Sequence, residues 1–218
     1  MMELTVDGRT VQAREGRTVL EACLENDIYV PNLCFLKGME NPPASCRLCF
    51  VEIEGRPRPV SSCKVEARPG MVVRTDTEAV KKLQLSGFQL LMSCHHLHPH
   101  CPAERGCDMW RIARHLGVKI KQKRLDYIRR DPPPPQDHPF LCYDYRRCVL
   151  CGRCVYVCRR KHGISLLNFA GRGFDTVVST YGWEDVENPP CGECRACVEV
   201  CPTAAIFFKA EFPKAVHC

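Results

Sequence analysis

Apolar and polar positions alternate over residues 4–6 and 9–13, with Asp7-Gly8 between the two runs. Period two marks half-buried strands, and Asp-Gly suits the left-handed backbone of a two-residue hairpin turn. Thr18-Val19-Leu20-Glu21 has capping-box spacing, in which hydroxyl and carboxylate each take a backbone N–H of the other residue. Behind it Leu20, Cys23, Leu24 and Ile28 fall on one helical face. A further alternating run over residues 50–54 stops at Gly55. Hairpin, helix and returning strands predict a β-grasp unit over residues 1–75.

The period then changes to that of a helix, expected from about residue 76 to 92. Thr75 and Glu78 offer capping-box spacing, and Val80, Leu83, Gly87, Leu90 and Leu91 are expected on its inner face. A second amphipathic helix carries Met109, Ile112, Ala113 and Leu116, with Gly117 placed to stop it. A helical module is thus expected over residues 76–130. Residues 131–139 hold five Pro, incompatible with a regular helix or central strand, and read as a linker. Residues 140–218 contain an internal repeat of cysteine runs.

Composition changes the picture most through cysteine, 18 in 218 residues. The chain starts without a basic segment followed by an apolar one, so a secretory signal is not expected. No apolar run reaches a membrane-spanning length. A cytoplasmic, reducing location follows as the expectation, and there cysteine clusters serve metals or redox chemistry. The formal charge of +6 counts every Cys as neutral. About fifteen bound thiolates and four cores of about +2 each would bring the total to about −1. The basic excess therefore reads as compensation for clusters, and no nucleic-acid partner is expected. Residues 105–130 hold nine Lys/Arg against two Asp and read as a solvated or docking face.

The repeat is the strongest chemical signal. Cys148, Cys151, Cys154 and Cys158 have the spacing C-x2-C-x2-C-x3-C, and so do Cys191, Cys194, Cys197 and Cys201. This is the spacing of bacterial two-cluster ferredoxins, in which the fourth Cys ligates the other cluster. The assignment is Cys148, Cys151, Cys154 and Cys201 for one [4Fe–4S] cluster, and Cys191, Cys194, Cys197 and Cys158 for a second. Pro202 follows the second run as the pattern wants, whereas Arg159 follows the first. Zinc ribbons use two separated C-x2-C pairs, a poorer match to three Cys at successive x2 spacing. In the β-rich unit, Cys34, Cys46, Cys49 and Cys63 are spaced x11, x2 and x13. Four thiolates in a small β domain suit a [2Fe–2S] cluster, although the first gap exceeds that of plant-type ferredoxins. A third group has only three Cys, at 94, 101 and 107, among four His. Cys94-x3-His98-x2-Cys101-x5-Cys107 would complete a third [4Fe–4S] site, while His95, His96 and His100 are expected at the surface. Cys23, Cys142 and Cys218 are left as non-ligands.

The order of these motifs resembles the amino-terminal part of the large iron–sulfur subunit of respiratory complex I and of iron-only hydrogenases. Residues 148–158 and 171–177 are especially similar to the latter. The compact length is most similar to the small iron–sulfur, diaphorase-side subunit of NAD-linked nickel–iron hydrogenases and to related subunits of NAD-dependent formate dehydrogenases. The middle motif of that family is H-x3-C-x2-C-x5-C. Matched without gaps, this chain has Cys94 at the His position and His98 at the first Cys position.

The resemblance implies an α+β protein: a β-grasp [2Fe–2S] domain, a His/Cys [4Fe–4S] module and a carboxy-terminal two-[4Fe–4S] ferredoxin-like domain. It implies an electron-transfer subunit between a flavoprotein that handles NAD(P) and a separate hydrogenase or dehydrogenase subunit. No G-x-G-x-x-G follows a strand, so the chain is expected to bind no nucleotide itself. Only 17 residues follow Cys201, and no further catalytic domain is expected there. The competing readings are a fragment of a longer iron–sulfur dehydrogenase or iron-only hydrogenase, and a zinc-binding structural module.

Overall fold

The computed structural model describes residues 1–95, 107–120, 125–128, 138–180 and 190–211. Its contacts divide into two units: Met1–Leu91 with Arg111–Leu125, and Met92–Trp110 with Asp126–Cys218.

In the first unit, strand β1 (Met2–Val6) turns at Asp7-Gly8 into β2 (Arg9–Ala13), paired from Met2↔Ala13 to Val6↔Arg9. Asp7 and Gly8 both have positive φ, 48° and 78°, the conformation that a two-residue hairpin requires. Thr18 caps helix α1 (Val19–Glu25) in the expected box, Glu21 N–H to Thr18 Oγ1 at 3.2 Å and Thr18 N–H to Glu21 Oε2 at 2.9 Å. Strands β3 (Phe50–Ile53), β4 (Val60–Ser61) and β5 (Val72–Arg74) complete a five-stranded sheet of order β2-β1-β5-β3-β4. The late strand β5 inserts parallel to β1 and antiparallel to β3. Alternation along the strands turns Leu4, Val6, Val11, Val51, Ile53 and Val73 inward against Leu20 and Cys23 of α1.

Helix α2 (Glu78–Cys94) starts and packs differently from the sequence expectation. Its hydroxyl cap is Thr77, whose Oγ1 accepts from Val80 N–H at 3.3 Å. Thr75 instead donates its N–H and hydroxyl to the Asp7 carboxylate, at 2.8 and 2.6 Å. Leu83 and Leu90 are exposed, while Val80, Gln84, Gly87 and Phe88 are buried. These four positions share one helical face, and two of them face the β-rich domain for polar or steric reasons. Gln84 Nε2 donates to the Phe50 carbonyl at 3.1 Å. At Gly87 an added Cβ would lie 2.4 Å from the Arg47 carbonyl oxygen. Helix α3 (Asp108–His115) buries Met109, Ile112 and Ala113 and ends at Gly117 (φ 66°) as anticipated.

In the second unit, β6 (Leu141–Tyr143) pairs with β9 (Ile206–Phe208), and β7 (Asn168–Ala170) with β8 (Val177–Ser179), both antiparallel. Helices α4 (Arg153–His162) and α5 (Ala196–Glu199) begin inside the two cysteine runs, α4 carrying Cys154 and Cys158 and α5 carrying Cys197. Leu166, Leu167, Val178 and Ile206 form a core with Cys148, Cys154, Cys158 and Cys197. Sulfur thus fills space that hydrocarbon fills in an ordinary core. Cys142, in β6, is disulfide-bonded, and fifteen other cysteines of the described residues are free thiols.

Candidate iron–sulfur centres

Cys34, Cys46, Cys49 and Cys63 come together inside the first unit, each at most 4% exposed. The Cys34 and Cys46 sulfurs are 3.4 Å apart. A hydrogen bond from the Cys46 thiol draws the Cys34 pKa down to about 6, and one from Cys63 draws Cys49 down to about 7. The donors, Cys46 and Cys63, are pushed up by those same bonds and by burial. Four thiols held this closely form a cradle of latent negative charge that a multivalent iron core would satisfy. Ser45 and the Cys46 backbone also help to hold the Cys34 pKa down, as hydrogen-bond donors that favour a thiolate do. Ser62 fixes the cradle from behind, donating its N–H and hydroxyl to the Cys49 carbonyl at 2.8 and 2.7 Å.

In the second unit the two cysteine runs exchange their fourth members. The charges that raise the Cys154 pKa after burial are those of Cys148, Cys151 and Cys201, ahead of Cys197. Burial, then Cys201 and Cys148, lifts Cys151 to about 12. Cys158 instead groups with Cys191, Cys194 and Cys197, and burial followed by its charge raises Cys191 to about 11 and Cys197 to about 12. These last four cysteines line a recess partly open to solvent. Buried thiols with raised pKa resist ionisation on their own and need a cation to become thiolates.

Backbone strain concentrates at these loops. Six non-glycine residues have positive φ among those described, and four belong to cysteine loops: Ala44, Arg47, Leu150 and Ala204. The left-handed turn is costly for such residues. At Leu150 and Ala204 it aims a backbone N–H at sulfur, Leu150 N–H to Cys148 Sγ at 3.3 Å and Ala205 N–H to Cys201 Sγ at 3.2 Å.

For the middle motif, Cys94 ends α2 half-buried and Cys107 is buried just before α3. His98 and Cys101 lie outside the described residues, as do His96 and His100. His95, expected at the surface, is only 4% exposed. Its Nδ1 is 2.9 Å from the Arg147 carbonyl oxygen. A carbonyl can only accept, so Nδ1 carries the proton and Nε2 the lone pair. That is the tautomer of an Nε2 metal ligand oriented by its other nitrogen. Two further histidines line the Cys158 recess, His138 and His162. His138 fell within the expected linker. For His162 the available signal was its place four residues after Cys158 on one helix. Cys23 is a core residue of α1, its thiol raised to about 12 by burial.

Residues 1–78 match the 2Fe-2S iron-sulfur cluster binding domain. The amino-terminal part of the chain is thus a 2Fe-2S ferredoxin-type domain, within a mixed α and β fold. The chain's homologues are subunits of NAD(P)-linked hydrogenases and of NADH-quinone oxidoreductases. It is 31% identical to the NADP-reducing hydrogenase subunit HndD of Solidesulfovibrio fructosivorans, over 94% of this chain and 36% of that protein. It is 30% identical to the NADH-ubiquinone oxidoreductase 75 kDa subunit of Reclinomonas americana, over 96% of this chain and 30% of that protein. In a crystal structure of an NAD+-reducing [NiFe]-hydrogenase, one chain superposes with a TM-score of 0.79 at 28% identity, covering 96% of this chain and 88% of that one. The chain spans 24–36% of the length of the curated relatives it matches. Among the described residues no helix is long and apolar enough to cross a membrane.

Proposed function

We propose that the chain is an electron relay carrying one [2Fe–2S] and three [4Fe–4S] clusters. It passes single electrons between a flavoprotein partner that handles NAD(P) and a separate catalytic subunit of the hydrogenase or formate dehydrogenase type. The clusters supply the redox chemistry. The protein supplies thiolates, burial and N–H donors, which set potential and spacing. The observation that carries this reading is the exchange of Cys201 and Cys158 between the two cysteine runs. That exchange would give two four-sulfur sites within one small unit, the ligand pattern of two-cluster ferredoxins.

The first site takes Cys34, Cys46, Cys49 and Cys63. The first cubane takes Cys148, Cys151, Cys154 and Cys201, and the second Cys158, Cys191, Cys194 and Cys197. The middle site draws on Cys94, His98, Cys101 and Cys107. A second reading of that site uses His95 as the imidazole ligand, favoured by its burial and by the Nδ1–H bond to Arg147. The test is metal analysis of anaerobically purified protein. Four clusters require about fourteen Fe and as many acid-labile sulfides per chain. Iron near two per chain, or stoichiometric zinc, overturns the relay.

A further inference from the structure

We propose that His162 is a positioning residue of the second cubane, donating an Nε2–H···S bond to Cys194 that raises the reduction potential of that one cluster. The inference rests on the cluster assignment above. His162 Nε2 lies 3.2 Å from Cys194 Sγ, within range of a hydrogen bond to sulfur. His162 is the last residue of α4 and stands one turn after Cys158. Residues four apart share a helix face, and both line the same recess. Gly163, left-handed at φ 72°, ends the helix immediately, its N–H bonded to the Arg159 carbonyl at 2.9 Å. The imidazole is therefore held against the recess by the ligand-bearing helix itself.

The direction of the effect follows from the chemistry of sulfur. A Cys194 bound to iron is a thiolate and has no proton to give, so the shared proton belongs to Nε2. Reduction adds one negative charge to the cluster, part of which resides on its thiolates. A hydrogen bond to a more negative acceptor is stronger, so the bond favours the reduced state. At the first cubane, by contrast, the backbone N–H groups of Leu150 and Ala205 bond Cys148 and Cys201. Side-chain and backbone donation would thereby separate the potentials of two clusters whose sulfur ligands are identical in kind.

The test is a redox titration of the cluster-loaded full chain, followed by low-temperature EPR, on the wild type, His162→Leu and His162→Gln. Leu fills the space without a donor, and Gln keeps an N–H of similar reach. In His162→Leu the reduced-to-oxidised ratio of one cubane at a fixed poise should fall about tenfold, about 59 mV for a one-electron couple. The other clusters should not move. His162→Gln should recover most of the loss. In pulsed ENDOR a deuterium-exchangeable proton coupling should be present in wild type and Gln and absent in Leu. Unmoved potentials in His162→Leu overturn the proposal, as does a shift shared by all clusters, or a Gln variant that behaves as Leu. If the Leu variant fails to retain the cluster, Gln decides: retention at the wild-type potential supports the bond, and loss in both overturns it. A wild-type chain without cubane signals overturns the cluster assignment instead, which iron analysis identifies separately.

Discussion

Gly87→Ala should destabilise the amino-terminal unit, although helix propensity alone gives the opposite sign. Gly87 sits inside α2 without positive φ, and in a helix interior Ala is favoured over Gly by about 1 kcal/mol. Against this, the new Cβ would lie 2.4 Å from the Arg47 carbonyl oxygen and 3.1 Å from its carbon, about 1 Å inside ordinary contact. Arg47 cannot easily yield. It is left-handed at φ 54° and lies between Cys46 and Cys49, whose sulfurs are fixed in the cradle. Overpacking of this kind costs about 1–3 kcal/mol, more where backbone must move. Because backbone must move here, the cost falls in the upper part of that range, about 2–3 kcal/mol, and the net expectation is a loss of about 1–2 kcal/mol, or a melting temperature lower by roughly 4–16 °C for a unit of this size. The assay is a thermal melt followed by the visible circular dichroism of the [2Fe–2S] chromophore, with Ser86→Ala in the same helix as a control for propensity. A Gly87→Ala protein that melts higher than wild type with an unchanged cluster spectrum would refute the reasoning.

His95→Ala should remove or convert one [4Fe–4S] cluster if His95 ligates the middle site, and His98→Ala should do so if the ungapped motif holds. Nitrogen coupling by pulsed EPR in each variant identifies the ligand. The purified chain should accept electrons from dithionite yet show no NADH or NADPH oxidation by itself, since no nucleotide-binding motif is present; turnover without a flavoprotein would disprove that. Thr18→Ala removes one half of the α1 capping box and should cost about 1 kcal/mol, read as a lower denaturation midpoint with iron content unchanged. Cys23→Ala should leave iron at the wild-type value, because Cys23 belongs to the core of α1 and not to a cradle; loss of iron would contradict that placement.

Local signals in the chain were reliable where one interaction decides the outcome. Asp7-Gly8 makes its hairpin because few other residues tolerate two successive left-handed positions. Thr18 and Glu21 make their box because both partners lie within one turn. Helix α2 was legible as a helix, but its inward face was not. Hydrophobicity favoured Leu83 and Leu90, and both are exposed. Gln84 and Gly87 face inward because a carbonyl of β3 needs a donor and the Arg47 carbonyl needs space. Thr75 matched a capping pattern, yet its hydroxyl is taken by Asp7, sixty-eight residues earlier. His95 could not be told from its neighbouring histidines by spacing, since its burial depends on the carbonyl of Arg147.

The cysteine spacing by itself pointed to clustered thiols, because turn geometry limits which ligands close neighbours can share. What only the tertiary structure decided is which distant groups meet them. Cys158 lines one recess with Cys191, Cys194 and Cys197, more than thirty residues on, β5 inserts between β1 and β3, and His162 meets Cys194 at that recess. Each of these contacts depends on where packing brings the chain back. Sequence spacing constrains near neighbours through backbone geometry, whereas long-range neighbours are chosen by the burial and hydrogen bonding of the whole unit.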